Sequence, residues 1–184
     1  QRHGRPGSGD LSLAPARGGG GKRPLAAALL GDRVVKKTAP SATSPALVHA
    51  MMEPAFYPKP PKEVTHKETH ISHVFLAGDT VYKIKKPVQF SFLDFSTLAK
   101  RLHFIEEELR LNRRLAPSVY LGVMPLFFDR GGWGLGGGGN AAEYTLVMRR
   151  LPEKRMLDFL LETRQATSAM MEQLADHLAE FHTA

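Results

Sequence analysis

The run HVFLAGDTVYKIK, His73 to Lys85, constrains the fold more than any other part of the chain. Two alternating β-rich segments flank Gly78-Asp79, a dipeptide suited to a tight turn, so the run predicts a two-residue hairpin. The register follows from the turn: Ala77 faces Thr80, Leu76 faces Val81, Phe75 faces Tyr82 and Val74 faces Lys83. Side chains alternate across a strand, which puts Val74, Leu76, Val81, Lys83 and Lys85 on one face and Phe75, Tyr82 and Ile84 on the other. A lysine amid aliphatics on a sheet face is either a snorkelling side chain at a margin or one held by an anion.

The next element offers that anion. SFLDFSTLAKRLHFIEEELRLNRRLAP predicts a long helix, with Asp94 or Ser96 as its cap and Pro117 just past its end. Leu98, Leu102, Ile105, Leu109 and Asn112 form one stripe along it. At about 100° per residue, Glu107 points away from the stripe, while Glu106 and Glu108 flank it at about 80°. Glu108 shares its edge with Phe104, Leu115 and Asn112, and this apolar cover makes it the preferred partner for Lys83. The plainer alternative for EEE is a solvated helix face with pairs such as Glu106 to Arg110.

Around this pair, ALVHAMMEPAFYP reads as a short helix broken by Pro54 and Pro58, and PKPPKEV runs extended. VYLGVMPLFF and EYTLVMRRL are two further strands flanking GGWGLGGGGN. A short helical piece covers Met156 to Leu161, and a final helix carries Met170, Leu174, Leu178 and Phe181. Gly132, Gly134 and Gly137 have the spacing G-x-G-x-x-G, but a phosphate loop of that kind opens a helix and here a strand follows. The stretch is therefore expected to be the tip of a hairpin. GGGGKR, Gly18 to Arg23, fails as a Walker A loop because Ala16 and Arg23 stand where Gly and Ser or Thr are needed. His66, His70 and His73 invite a metal, yet His70 and His73 face opposite sides of an extended strand, so surface or loop histidines are expected.

The formal net charge of +7 is concentrated at one end: residues 1–45 hold eight Lys or Arg against Asp10 and Asp32, and the rest of the chain holds 17 basic against 16 acidic groups. Those first 45 residues are rich in Gly, Pro, Ser and Arg, lack any period, and are expected to be a disordered basic tail. A nearly neutral body argues against nucleic acid as its partner and leaves the tail as a weak tether to polyanions. The chain has no cysteine, which excludes disulfides and thiolate metal sites and is compatible with a reducing compartment. No apolar run approaches the ~20 residues of a membrane span, and the expected location is the cytoplasm.

The order of hairpin, VYKIK lysine, helix with glutamate, second hairpin, VMRRLP linker and terminal LAEFH resembles the first part of the protein-kinase-like fold. THISHVFLAGDTVYKIKKPVQFSFLDFSTL, EEELRLNRRLAP and MRRLPEKRML are similar to bacterial aminoglycoside-phosphotransferase-like proteins, in which this domain often precedes a P-loop ATP-binding domain. The resemblance covers roughly residues 47–184. It implies an α+β fold: a kinase-like N-lobe over 46–151, an antiparallel sheet with one long helix, and the first helices of a C-lobe over 152–184.

It also implies roles. Lys83 would grip the α and β phosphates of ATP, with Glu108 as its ion-pair partner. Val81 and Val74 would cover the adenine, Met148 would guard the back of the pocket, and the Arg149 carbonyl and Leu151 N–H would bond the adenine edge. Thr69 and Ser72, in the loop entering the hairpin, would face the phosphates. The Asp and Asn that orient the hydroxyl acceptor and hold Mg²⁺ in this fold are absent, and LAEFHTA resembles the end of the helix before that catalytic loop. The expectation is thus an ATP-facing fragment without phosphotransfer of its own, with exposed Leu174, Leu178 and Phe181 promoting self-association. The alternative is a kinase-like scaffold without catalysis, or a polyanion-binding module using the tail.

Overall fold

The computed structural model describes residues 44–137 and 140–183. The tail lies outside the described residues except for its last two, Ser44 and Pro45, which cap and open a helix. Ser44 caps α1 (Pro45–Met52), its hydroxyl accepting from the Ala46 N–H at 3.3 Å, and Pro45 takes the first turn, where a missing N–H costs nothing. Pro54 ends the helix in a single 3₁₀ turn, Pro54–Phe56.

The fold is α+β. Six antiparallel strands form one sheet: β1 (Val64–Glu68), β2 (Ser72–Ala77), β3 (Thr80–Lys85), β6 (Tyr120–Asp129), β7 (Gly132–Leu135) and β8 (Glu143–Arg149), in the order β1-β2-β3-β8-β6-β7. A separate two-stranded ribbon, β4 (Gln89–Phe90) and β5 (Leu93–Asp94), precedes the long helix α2 (Leu98–Arg113). The β2–β3 hairpin has the register expected from its turn, with Gly78 at φ +62°. The extended PKPPKEV segment leads into β1, whose pairing with β2 the alternation pattern did not reveal.

The two faces of the β2–β3 hairpin divide the molecule. Phe75, Tyr82 and Ile84 pack with Leu47 and Met51 of α1, Tyr57, Leu126 and Val147 into the core. Each such burial stabilises by roughly 1.5–3 kcal/mol. Tyr57 also donates its hydroxyl to the Met51 carbonyl at 2.6 Å, tying the end of α1 down. From the opposite hairpin face Lys83 and Lys85 reach Glu108 of α2, while the helix itself packs on β6 and β8.

Two local readings are corrected. The cap of α2 is Thr97, whose Oγ1 accepts from the Lys100 N–H at 3.3 Å, because Asp94 and Ser96 are occupied with each other: Asp94 Oδ1 accepts from the Ser96 N–H at 2.9 Å and from its hydroxyl at 2.6 Å. The glycine-rich stretch is also more than a loop. Its hairpin turns at Arg130 and Gly131, both at positive φ, and Gly132–Leu135 is the edge strand β7. Trp133 and Leu135 alternate along it and pack against the core, a period-2 signal diluted by the glycines between them.

After β8, a 3₁₀ turn (Glu153–Arg155) leads to α3 (Leu157–Glu162) and α4 (Ser168–Thr183), close to where periodicity put them. His177 approaches the Leu115 carbonyl at 3.2 Å and Phe181 lies 4.3 Å beneath the Arg114 guanidinium, so α4 touches the end of α2. Among the described residues no helix is long and apolar enough to cross a membrane.

Candidate functional site

Lys83 is placed by strand alternation and Glu108 by helical periodicity, and the two meet. Lys83 Nζ donates to Glu108 Oε1 at 2.7 Å. Lys85, two residues on and therefore on the same face, donates to Glu108 Oε2 at 2.8 Å. One carboxylate thus holds two ammonium groups. Burial pushes the Glu108 carboxyl up, but the hydrogen bonds and charges of Lys83 and Lys85 outweigh it and leave the group below its ordinary value. Lys85 is the more deeply buried lysine and lies 4.7 Å from the centre of the Phe95 ring.

A cleft of about 250 Å³ adjoins this cluster on the same sheet face. Val74, Leu76 and Val81 form its sheet wall, Met148 stands opposite Val81 on β8, and Tyr120, Leu151 and Met156 close other sides. Val81 and Lys83 are alternate residues of one strand, so the lysine stands roughly 7 Å beyond the cleft wall. Burial and then the nearby Glu108 carboxylate push the Tyr120 phenol up, which links the cleft wall to the ion cluster. At the mouth, Lys67 of β1 and Glu153 approach to 3.7 Å across the cleft. The chain leaves β8 along this wall, with the Arg150 N–H bonded to the Asp79 carbonyl at 2.8 Å.

Of the nine residues singled out from sequence, Val74, Val81, Met148, Arg149 and Leu151 line this one cleft, and Lys83 and Glu108 form the ion pair beside it. Thr69 and Ser72 are placed differently. They close the β1–β2 turn on each other: Thr69 N–H donates to the Ser72 carbonyl at 2.9 Å, and Ser72 N–H donates to Thr69 Oγ1 at 3.0 Å. Ser72 is fully buried, so in this conformation the turn presents neither backbone N–H outward.

The histidine expectation is corrected in part. His73 is buried, and its Nδ1 lies 3.0 Å from Nε2 of His66 on the neighbouring strand, with the His66 ring stacked on both His73 and Phe75. Alternation along one strand does not reveal this pair, because the partner sits across the β1–β2 ladder. Among the described residues no group of three His, Asp or Glu comes together as a metal site. The helix pair also differs from the expected one: Arg110 binds Glu107 at 2.7 Å, three residues before it, where the expected partner was Glu106, four residues before it.

Sequence reasoning missed two elements. Lys85 was on the correct face without a role. Arg101 of α2 and Glu143 of β8 form a buried, bidentate pair, with Nη2 to Oε2 at 2.7 Å and Nε to both oxygens at 3.0 and 3.1 Å, and Arg101 Nη1 donates to the Phe95 carbonyl at 3.0 Å. A signal existed: Arg101 lies four residues before Ile105 and seven before Glu108, on the sheet side of the helix, where an isolated charge demands a partner. Burial pushes the Glu143 carboxyl above its ordinary value, and Arg101 pulls it back only in part.

The chain is similar to the Uncharacterized protein Rv2004c of Mycobacterium tuberculosis, with 37% identity over 116 residues, which is 63% of this chain and 22% of the relative. The Uncharacterized protein Mb2027c of Mycobacterium bovis matches with the same identity and coverage. The chain therefore spans 22% of the length of the curated relatives it matches. No family model matches it, and no solved structure matches it.

Proposed function

We propose that this chain is the ATP-facing part of a phosphotransferase with a protein-kinase-like fold, similar to the aminoglycoside-phosphotransferase-like proteins, acting on a hydroxyl-bearing small molecule. The observation that carries the reading is the 2.7 Å pair between Lys83 and Glu108 beside an apolar cleft walled by Val74, Val81 and Met148. An adenine ring has apolar faces and needs an apolar slot, while its phosphates need a cation at one end of that slot, and both are offered on one sheet face. Val74, Val81 and Met148 would enclose the base, the backbone at Arg149 and Leu151 would meet its polar edge, and Lys83 would hold phosphate oxygens.

When bound, ATP supplies the phosphoryl group. The chain's own residues bind and orient it and shield the base from water. Mg²⁺ is assigned to no residue here: Glu108 is already engaged by two lysines, and no three-membered cluster of metal-ligating side chains occurs among the described residues. Phosphotransfer accordingly needs catalytic groups that these residues do not provide. The test is titration of the chain with a fluorescent ATP analogue. Lys83→Ala is expected to weaken binding at least about tenfold, as loss of a charge-assisted phosphate contact does; equal binding by the variant would refute the role of Lys83.

A further inference from the structure

The cluster at Glu108 contains two cations and one anion. Among the described residues no second carboxylate comes within salt-bridge distance of Lys83 or Lys85, so one positive charge is in excess where water is partly excluded. The two lysines are unequal. The Lys85 side chain is 6% exposed and rests on Phe95, whereas the Lys83 side chain is 26% exposed and stands on the strand that runs into the cleft wall.

We propose that Lys85 is the standing counter-ion of Glu108, and that it thereby makes Lys83 a releasable cation for one anionic group, a phosphate, arriving through the cleft. With a single lysine, drawing Lys83 toward a ligand would leave a part-buried carboxylate without compensation, a costly state. With two, Glu108 keeps its charge partner while Lys83 turns away, and the positive excess is cancelled by the incoming anion. Lys85 touches no ligand in this arrangement and acts through Glu108, as a positioning residue. The inference rests on the nucleotide reading only for the molecule that bears the phosphate.

The test labels amines in the 184-residue chain with an acylating ester and follows each lysine by peptide mass spectrometry. Inorganic tripolyphosphate is expected to protect Lys83 and leave Lys85 unchanged. Lys85→Met is expected to slow Lys83 labelling at least about threefold, because a repelling like charge is removed and both Glu108 oxygens become available to one ammonium. Lys85→Arg, which keeps the charge, is expected to restore the wild-type rate. A role in packing alone would loosen the cluster and speed Lys83 labelling, so a faster or unchanged rate in Lys85→Met overturns the proposal. Glu108→Gln reads the same triad without altering Lys85: it is expected to release both ammonium groups and raise the Lys83 rate, and no rise overturns the proposal too. Failure of tripolyphosphate to protect Lys83 removes the phosphate role. Protection by tripolyphosphate with no binding of the ATP analogue refutes the nucleotide reading alone.

Discussion

Glu108 holds the two lysines beside the cleft on one side chain. Its folded-state carboxyl lies below its ordinary value, so its contribution to stability is fully present above the unfolded carboxyl range and is lost as pH falls through the depressed folded value. The predicted difference in urea midpoint between the wild type and Glu108→Gln is therefore constant from pH 8 to about 5 and shrinks below that. A difference that vanished at neutral pH would show that the lysine pairs add nothing. The Lys83–Glu108 pairing was legible residue by residue, since alternation placed the lysine and a 100° step placed the glutamate. The share of Lys85 was not, because sharing a face does not say which of two lysines a carboxylate will hold, and here it holds both.

Helix α2 is tied to the sheet by Arg101 to β8, by Glu108 to β3, and at its end by Arg113, which donates to the Tyr120 and Leu121 carbonyls of β6. Removing Arg101 leaves the Glu143 carboxylate buried and alone, so Arg101→Met is expected to cost about 3–5 kcal/mol in urea unfolding. The double variant Arg101→Met with Glu143→Leu is expected to recover most of that loss, since the buried charge goes with its partner. If the double variant were as unstable as the single one, packing and not charge would explain the effect. The β1–β2 pair has its own sensitivity. Burial, aided by Lys86, lowers His73 below its ordinary value, so the neutral ring is favoured and stability is lost as pH falls below the unfolded histidine range. Hydrogen exchange at β1 amides is predicted to speed up from pH 7.5 to 5.5, after correction for intrinsic rates, and His73→Phe is expected to flatten that dependence. A pH response unchanged in His73→Phe would count against the imidazole pair. These elements escaped sequence reading for a common reason: Arg101 and Glu143 are 42 residues apart, and His66 finds His73 only through ladder register.

At the scale of the whole molecule, the C-terminal helices leave apolar side chains in water. Leu161, Met170, Leu174 and Leu178 are exposed, while Phe181 is partly covered beneath Arg114. Exposed apolar stripes of this kind favour association. The chain is predicted to sediment as larger species with rising concentration, and Leu174→Glu with Leu178→Glu is expected to reduce this without loss of helicity; a monomer at all concentrations would refute it. By itself, the sequence determined the β2–β3 register, the existence of α2, α3 and α4, and the faces on which Lys83 and Glu108 lie, because turns and periods of 2 and 3.6 are local properties of backbone geometry. Only the tertiary structure decided that Lys85 joins them on one carboxylate, that Arg101 reaches Glu143, that Thr69 and Ser72 bond each other, and that Trp133 and Leu135 make an edge strand among glycines. Those outcomes depend on which element arrives at a face from elsewhere in the chain, and burial then forces each polar group there to find the partner that is nearest in space.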